Sequence, residues 1–480
     1  MSINNTNTNA HEPTILIIFG ITGDLSRRKL LPALWHLFRT GKLPSSFQII
    51  GFSRRDFSGN AIRIFVREAL GETLASAPPD TVRNFLECFS YQQGHFDEPE
   101  QYRALAKHIE SVERTQGAPA NRIFYLSIAP IHYEEVFEAL HNSGLASSDV
   151  GVPLAAHPPR ILVEKPFGRD TETAHMLDAK LGALFREEQI YRIDHYLAKE
   201  TVQNIISFRF SNFIFDSIWN KNGIERVHIE LLETLGIEGR SAFYSDTGAL
   251  RDVGQNHLLQ LLAMIAMENP GQLDAASIRS KRAEVLTRLR PMEDILHSVV
   301  RGQYEGFAQE TGAASSQTET YFKLRVFLDD PVWDGVPFLL ESGKRMKKDI
   351  TRVTIYFKNA TRVPCAIDGE NECQNALVFE IKPKEGITIF FFAKKPGFSQ
   401  ELERRTLHFS YQDGTVPERV PDAYERVLYD CIRGDQTLFT STDEVQAAWH
   451  YITPILAAWK EVPLELYQPG SLGPGSRTNV

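Results

Sequence analysis

The chain has 480 residues, more than one hydrophobic core usually organises, so two domains, or one domain with a large second lobe, are expected. Its 42% hydrophobic and 24% charged content is that of a soluble globular protein, and a net charge of −9 excludes a broad nucleic-acid-binding surface, which needs a basic field. Anionic small molecules are still allowed, held by a few local cations.

Residues 1–13 are polar and rich in Asn and Thr, and read as a disordered tail. They lack the basic and apolar stretches of a secretory signal. No apolar run in the chain approaches membrane-spanning length, so the cytoplasm is the expected compartment and no membrane partner is expected. Order is expected to begin with the β-branched run Thr14–Phe19, too short for a helix and suited to a strand buried on both faces. Helix-period leucines follow over residues 27–38, then a second buried strand over 47–51 and a helix over 60–70. Runs 122–128 and 160–163 are further strands, with a helix over 132–141 between them. Strand and helix in alternation predict a parallel, Rossmann-type sheet over residues 14–195.

Beyond residue 195 the texture changes. Strand-like runs such as ERVHIELLET, YFKLRVFLD, RVTIYFK, ALVFEIK and GITIFFFAKK follow one another, several alternating apolar with polar. They predict an α+β domain over 196–466 built on a large, mostly antiparallel sheet. Two helices, over 421–432 and 441–460, close it, and the Gly/Pro/Ser-rich residues 467–480 read as a flexible tail. The four cysteines (Cys88, Cys365, Cys373, Cys431) show neither a CxxC pair nor metal-ligand spacing, so reduced structural thiols and no metal site are expected.

Three segments bear on a cofactor. Between the first strand and its helix lie Gly20, Thr22, Gly23, Asp24 and Leu25. Small residues there let the backbone approach a diphosphate at a helix N-terminus; a tight turn capped by Asp24 or Thr22 is the plainer alternative. The second strand runs into Ser53 and Arg54, with no carboxylate until Asp56. A guanidinium and a hydroxyl at that place favour a ribose 2′-phosphate, hence NADP, with NAD a weaker ligand; a solvated basic turn is the rival reading. Glu164-Lys165-Pro166 closes a buried strand, where ligands of such sheets bind, although a lysine at a strand end also snorkels for simple structural reasons.

Two further segments are dense in polar residues. In Arg192-Ile-Asp194-His195-Tyr196-Leu-Ala-Lys199, a helical spacing puts His195 and Lys199 on one face, able to converge on a phosphate or to form a surface pair. In residues 252–257, Asp252, Gln255, Asn256 and His257 crowd one turn against the apolar run LLQLLAMIAM. Polar groups in such a place must be bonded or line a cavity, and a neutral imidazole there suits proton abstraction near neutral pH.

The strings FGITGDLSRRKLLPALW, EKPFG, RIDHYLAKE, ETLGIEGR, RDVGQNHLLQ and GVPFLLESGKR, in this order, resemble the glucose-6-phosphate dehydrogenase family from about residue 15 to 460. The resemblance implies oxidation of glucose 6-phosphate to 6-phosphogluconolactone with hydride transfer to NADP, and a homodimer or homotetramer formed through the C-terminal sheet. It implies that His257 is the general base and Asp194 the carboxylate that orients it. His195, Tyr196 and Lys199 look like phosphate ligands, Glu233 and Asp252 like partners of sugar hydroxyls, and Lys344 like a further substrate contact. Lys165 would then lie between cofactor and sugar. Three residues depart from the family pattern: Ala198 stands for a glycine, and Glu341 and Asp349 stand where basic residues are usual, which removes positive charge expected near the sugar. The alternatives are a sugar oxidoreductase of the glucose–fructose oxidoreductase-like group and a non-catalytic dinucleotide sensor.

Overall fold

Thr14–Phe19 (β1) is completely buried, as its unbroken β-branched and aromatic sequence requires. It pairs in parallel with Phe47–Ser53 (β2) on one side. Phe89–Gln93 (β3), Asn121–Leu126 (β4), Arg160–Val163 (β5) and Ile190–Ile193 (β6) complete a parallel sheet in the order β3-β2-β1-β4-β5-β6. A two-residue strand, Phe439–Thr440, adds antiparallel to β6. This is the doubly wound arrangement, and its order reverses between β1 and β4, which is where ligands of such sheets bind. The computed structural model describes residues 12–57, 60–146, 158–237, 241–312, 316–359, 374–411, 419–475 and 480.

The chain divides into two compact units. The first comprises Met1–Gly168, Glu172–Ala198 and Pro421–Thr442, and the second Arg169–Thr171, Lys199–Val420 and Asp443–Val480. Two buried arginines fix the remote segment Pro421–Thr442 to the first unit. Arg160 donates to the carbonyls of Cys431 and Ile432 at 2.8 and 2.9 Å, at the C-terminal end of the helix Ala423–Arg433, where a cation is favoured. Arg192, 1% exposed, bonds Asp178 at 2.5 Å, Glu187 at 2.9 Å and the Thr442 hydroxyl at 2.7 Å. Burial of a guanidinium is tolerated because its donors are shared among these acceptors.

In the second unit the sheet has nine strands among the described residues. Ile224–Leu232 (β7), Val299–Tyr304 (β8), Tyr321–Val326 (β9), Phe338–Gly343 (β10), Ile350–Phe357 (β11), Ala376–Lys382 (β12), Gly386–Lys394 (β13) and Leu402–Ser410 (β14) lie in the order β14-β13-β12-β11-β7-β10-β9-β8, and Leu464–Tyr467 extends the β8 edge. Pairing is antiparallel except between β10 and β7 and between Leu464–Tyr467 and β8. One face is apolar: Val227 and Ile229, Val353 and Ile355, Leu377 and Phe379 are buried, and the helix Glu200–Ser211 sets Phe208 edge-on against Phe379 at 5.3 Å. The other face carries Arg226, His228, Arg352 and Tyr356 at alternate positions, the period of two that the sequence displays. The C-terminal residues after Tyr467 are pinned to β10's following turn, with Gly470 donating to Arg345 at 2.6 Å and Lys347 to Ser471 at 2.8 Å.

Cys88 and Cys431 are free thiols, whereas Cys365 and Cys373 lie outside the described residues. Among the described residues no helix is long and apolar enough to cross a membrane.

Candidate active site

In the first unit, β1 ends in a loop shaped by Gly20. Its φ of +76° is open to glycine, and a Cβ there would lie 2.3 Å from the Ser127 carbonyl oxygen at the end of β4. Ser26 ties the loop shut, its hydroxyl donating to the Gly20 carbonyl and to Ser127 Oγ, each at 3.2 Å. The chain then enters a π-helical turn, Ser26–Leu30, which runs into the helix Leu31–Arg39. Gly20, Thr22, Gly23, Asp24 and Leu25 therefore form a tight strand-to-helix turn at the reversal of the strand order, a shape that fits a dinucleotide diphosphate.

At the end of β2, Ser53 and Arg54 behave differently. The Ser53 hydroxyl is turned into a bond with Tyr91 at 2.9 Å, and Tyr91 also reaches the Ser53 and Arg55 carbonyls. Tyr91 was not marked by the sequence, although it holds this turn in place. Arg54 is exposed, and among the described residues no carboxylate pairs with it. Its guanidinium is thus available to an anion.

Glu164, Lys165 and Pro166 follow β5, with the Lys165–Pro166 peptide cis. The Glu164 carboxyl accepts from Tyr125 at 2.5 Å and from Tyr424, while Tyr133 donates to the Glu164 carbonyl at 2.9 Å. Burial pushes this carboxyl up to about 7, against the opposing pull of the tyrosine bonds and of Lys165. Three tyrosines thus fix the backbone that carries Lys165. Tyr424 also stacks on His195, ring centres 6.2 Å apart and 15° from parallel.

Residues 194–199 are not helical, contrary to the spacing argument for His195 and Lys199. The Asp194 carboxylate captures the Tyr196 N–H at 3.0 Å and its carbonyl takes the Leu197 N–H at 3.1 Å, which makes a turn. Helix begins only at Glu200, with Lys199 at its N-cap. Ala198 falls in this turn, so its helix propensity has no bearing on it.

In the second unit, Asp252 and His257 lie on a nine-residue π-helix, Leu250–Leu258, which continues as the buried α-helix Leu259–Ala266. An i-to-i+5 turn brings residues five apart to one side, so the carboxylate and the imidazole share a face; an α-helical reading of the sequence does not give this. π-Turns of this kind occur frequently at functional sites. Gly254 lets the helix settle on the sheet, since a Cβ would lie 2.6 Å from Leu250 Cδ1 and 2.9 Å from the Phe322 ring. His257 is 2% exposed, and its backbone N–H donates to the Asn256 side-chain oxygen.

Glu233 and Lys344 meet beyond the ends of β7 and β10. Lys344 Nζ is 2.5 Å from Glu233 Oε2 and lies over the Tyr244 ring at 5.2 Å. The backbone on either side is fixed: Lys344 N–H donates to Thr320, Tyr467 OH donates to the Lys344 carbonyl at 2.6 Å, and Arg345 adopts φ +53°. The two unusual acids are engaged elsewhere. Asp349 pairs with Lys382 at 2.9 Å, and Glu341 accepts from His228 Nε2 at 3.0 Å and Tyr321 OH at 2.8 Å. Burial alone would raise the Glu341 carboxyl, but these bonds and nearby Lys323 outweigh it and hold it below its ordinary value. His228, Glu230 and Glu341 bring ligand atoms within 4.8 Å of one another, and Arg352 holds Glu230 at 2.6 Å.

Comparison with known proteins decides the family. The model described as "Glucose-6-phosphate dehydrogenase, NAD binding domain" matches residues 17–204, and "Glucose-6-phosphate dehydrogenase, C-terminal domain" matches 206–480. The chain belongs to the glucose-6-phosphate dehydrogenase family. It is 38% identical to the glucose-6-phosphate 1-dehydrogenase of Borreliella burgdorferi over 96% of its own length and 95% of that protein's. A solved glucose-6-phosphate dehydrogenase in complex with glucose-6-phosphate is similar at a TM-score of 0.89 and 32% identity, covering 98% of this chain and 96% of that one. The crystal structure of glucose-6-phosphate 1-dehydrogenase from Mycobacterium avium matches at a TM-score of 0.82 and 31% identity, over 97% and 96% of the two chains. The parallel N-terminal sheet and the largely antiparallel C-terminal sheet expected from the sequence are those of this family.

Proposed function

We propose that this chain oxidises glucose 6-phosphate at C1 to 6-phosphogluconolactone and passes the hydride to NADP, with NAD the poorer acceptor. The observation that carries the reading is the π-helix Leu250–Leu258, which puts Asp252 and buried His257 on one face in a chain of this family. His257 takes the proton of the C1 hydroxyl, and Asp194 fixes its tautomer. Glu233 and Asp252 accept from sugar hydroxyls. Lys344, held in place by Glu233, turns its charge to the substrate. His195, Tyr196 and Lys199 hold the phosphate. Lys165 and Pro166, fixed through Glu164, contact cofactor and sugar, and residues 20–25 seat the diphosphate. Arg54, with no carboxylate partner among the described residues, supports a 2′-phosphate ligand and so NADP over NAD. Bound NADP supplies the hydride acceptor; the protein's own part is orientation and proton removal.

The same reading includes a homodimer or homotetramer formed through the second unit's sheet. The edge strand β14 leaves Leu407 60% and Phe409 50% exposed, apolar area that a second copy would cover. The compartment is cytoplasmic, where Cys88 and Cys431 remain reduced. Purified protein with NADP and a panel of sugars, with and without phosphate, tests the reaction by nicotinamide fluorescence. A signal with glucose 6-phosphate but not glucose is expected. Cofactor binding with no turnover of any sugar would overturn the proposal.

A further inference from the structure

The π-helix that carries Asp252 and His257 begins at Leu250, and something must satisfy the N–H groups its first turn leaves open. One side chain from a different element, just ahead of β9, does so. Glu319 is 2% exposed, and its Oε1 accepts the Leu250 N–H at 3.0 Å while its backbone carbonyl accepts the Ala249 N–H at 3.0 Å. Its other oxygen, Oε2, accepts the indole N–H of buried Trp459 at 2.8 Å. Gly248 has φ +70°, and a Cβ there would sit 2.5 Å from Glu319 Oε1, so the turn before the helix is shaped around this carboxylate. The adjacent Thr318 hydroxyl holds the Ser245 carbonyl at 2.6 Å. Among the described residues no lysine or arginine forms an ion pair with Glu319, and burial raises its carboxyl above the ordinary value. A carboxyl buried at this cost to its charged form, bonded by Leu250 and Trp459 and with Arg251 and Arg301 acting on it through space, is retained for position.

We propose that Glu319 is a positioning residue for the reaction: it sets the rotation and height of the π-helix, and through it the placement of Asp252 and His257. The inference rests on the reading of His257 as the base. Leu250 is two residues before Asp252 and seven before His257, so a shift at the first turn travels along a rigid element to both. Glu319 itself touches neither substrate nor cofactor in this account, and its bonds to Ala249, Leu250 and Trp459 are all made within the second unit.

Glu319→Gln tests this. The amide keeps an acceptor for Leu250 but turns N–H donors toward the Trp459 indole, so the side chain must move. With folding followed by thermal melting, kcat is expected to fall about tenfold or more and KM for glucose 6-phosphate to rise, with KM for NADP within about twofold of the parent. Trp459→Phe alone, which removes one donor, should cost about threefold; combined with Glu319→Gln it relieves the clash and should return kcat to the level of Trp459→Phe alone, a non-additivity that general destabilisation does not produce. If Glu319→Gln does not fold, the double variant carries the test against Trp459→Phe. Parent-like kcat and sugar KM in Glu319→Gln, an equal rise of both KM values, or no rescue in the double variant would overturn the inference. His257→Asn run alongside separates the two readings: lost activity there with parent-like Glu319→Gln refutes only the role of Glu319, and full activity there refutes His257 as the base.

Discussion

Arg54 is a cation without a carboxylate partner among the described residues, at the end of the strand where dinucleotide folds read the ribose. Arg54→Ala is expected to raise KM for NADP by about ten- to a hundredfold, the worth of charged hydrogen bonds to a phosphate, and to change KM for NAD by less than about threefold. Steady-state kinetics with both cofactors checks this; equal losses would show that Arg54 does not meet the 2′-phosphate. Ser53, its neighbour, is legible in the sequence as a hydroxyl but not as one committed to Tyr91, because the two are 38 residues apart. The same limit hid Glu319 and the tyrosines around Glu164. Long-range partners carry no spacing signal. Glu341 and Asp349 illustrate the converse, since their departure from the family pattern is plain in the sequence but their partners, His228 with Tyr321 and Lys382, are visible only in the fold.

At the scale of elements, the strands β1, β2, β4 and β5 could be read directly because unbroken apolar runs have few other uses. The helix Ala275–Thr287 could not, since Arg279 and Arg282 are buried and blur its apolar stripe. The π-helix was also beyond periodicity, which distinguishes 3.6 from 2 but not from the wider turn. Gly254→Ala presses a methyl on Phe322 and Leu250, and should cost about 1–3 kcal/mol of stability in chemical denaturation; an unchanged midpoint would contradict the close packing. The turn after β5 has its own signature. The Glu164 carboxyl moves from an ordinary 4.5 to about 7 on folding, so between these values the folded chain binds more protons than the unfolded one. Its contribution to stability is full below pH 4.5 and is lost as pH rises through about 7, a slope of the opposite sign to that of a salt-bridged carboxylate. The Tm of Glu164→Gln, compared with the parent across this range, should lack that decline. Parallel curves would show that Glu164 does not titrate there.

For the whole molecule, both the alternation of strand and helix and its replacement by successive strands near residue 195 are visible in the sequence, and each unit's sheet follows from them. The sequence does not reveal that Pro421–Thr442 joins the first unit, because the bonds that hold it, from Arg160 and Arg192, span some 250 residues or more. If β14 is an edge between copies, Leu407→Lys with Phe409→Lys should lower the solution mass measured by light scattering to that of a smaller species. An unchanged mass would place the interface elsewhere.

The account turns on proton removal by one buried ring at the end of the π-helix. The most direct measurement is kcat of His257→Asn with saturating glucose 6-phosphate and NADP. Loss of a general base predicts a fall of roughly a hundredfold to ten-thousandfold while the sugar phosphate still binds. A kcat equal to the parent's would contradict it.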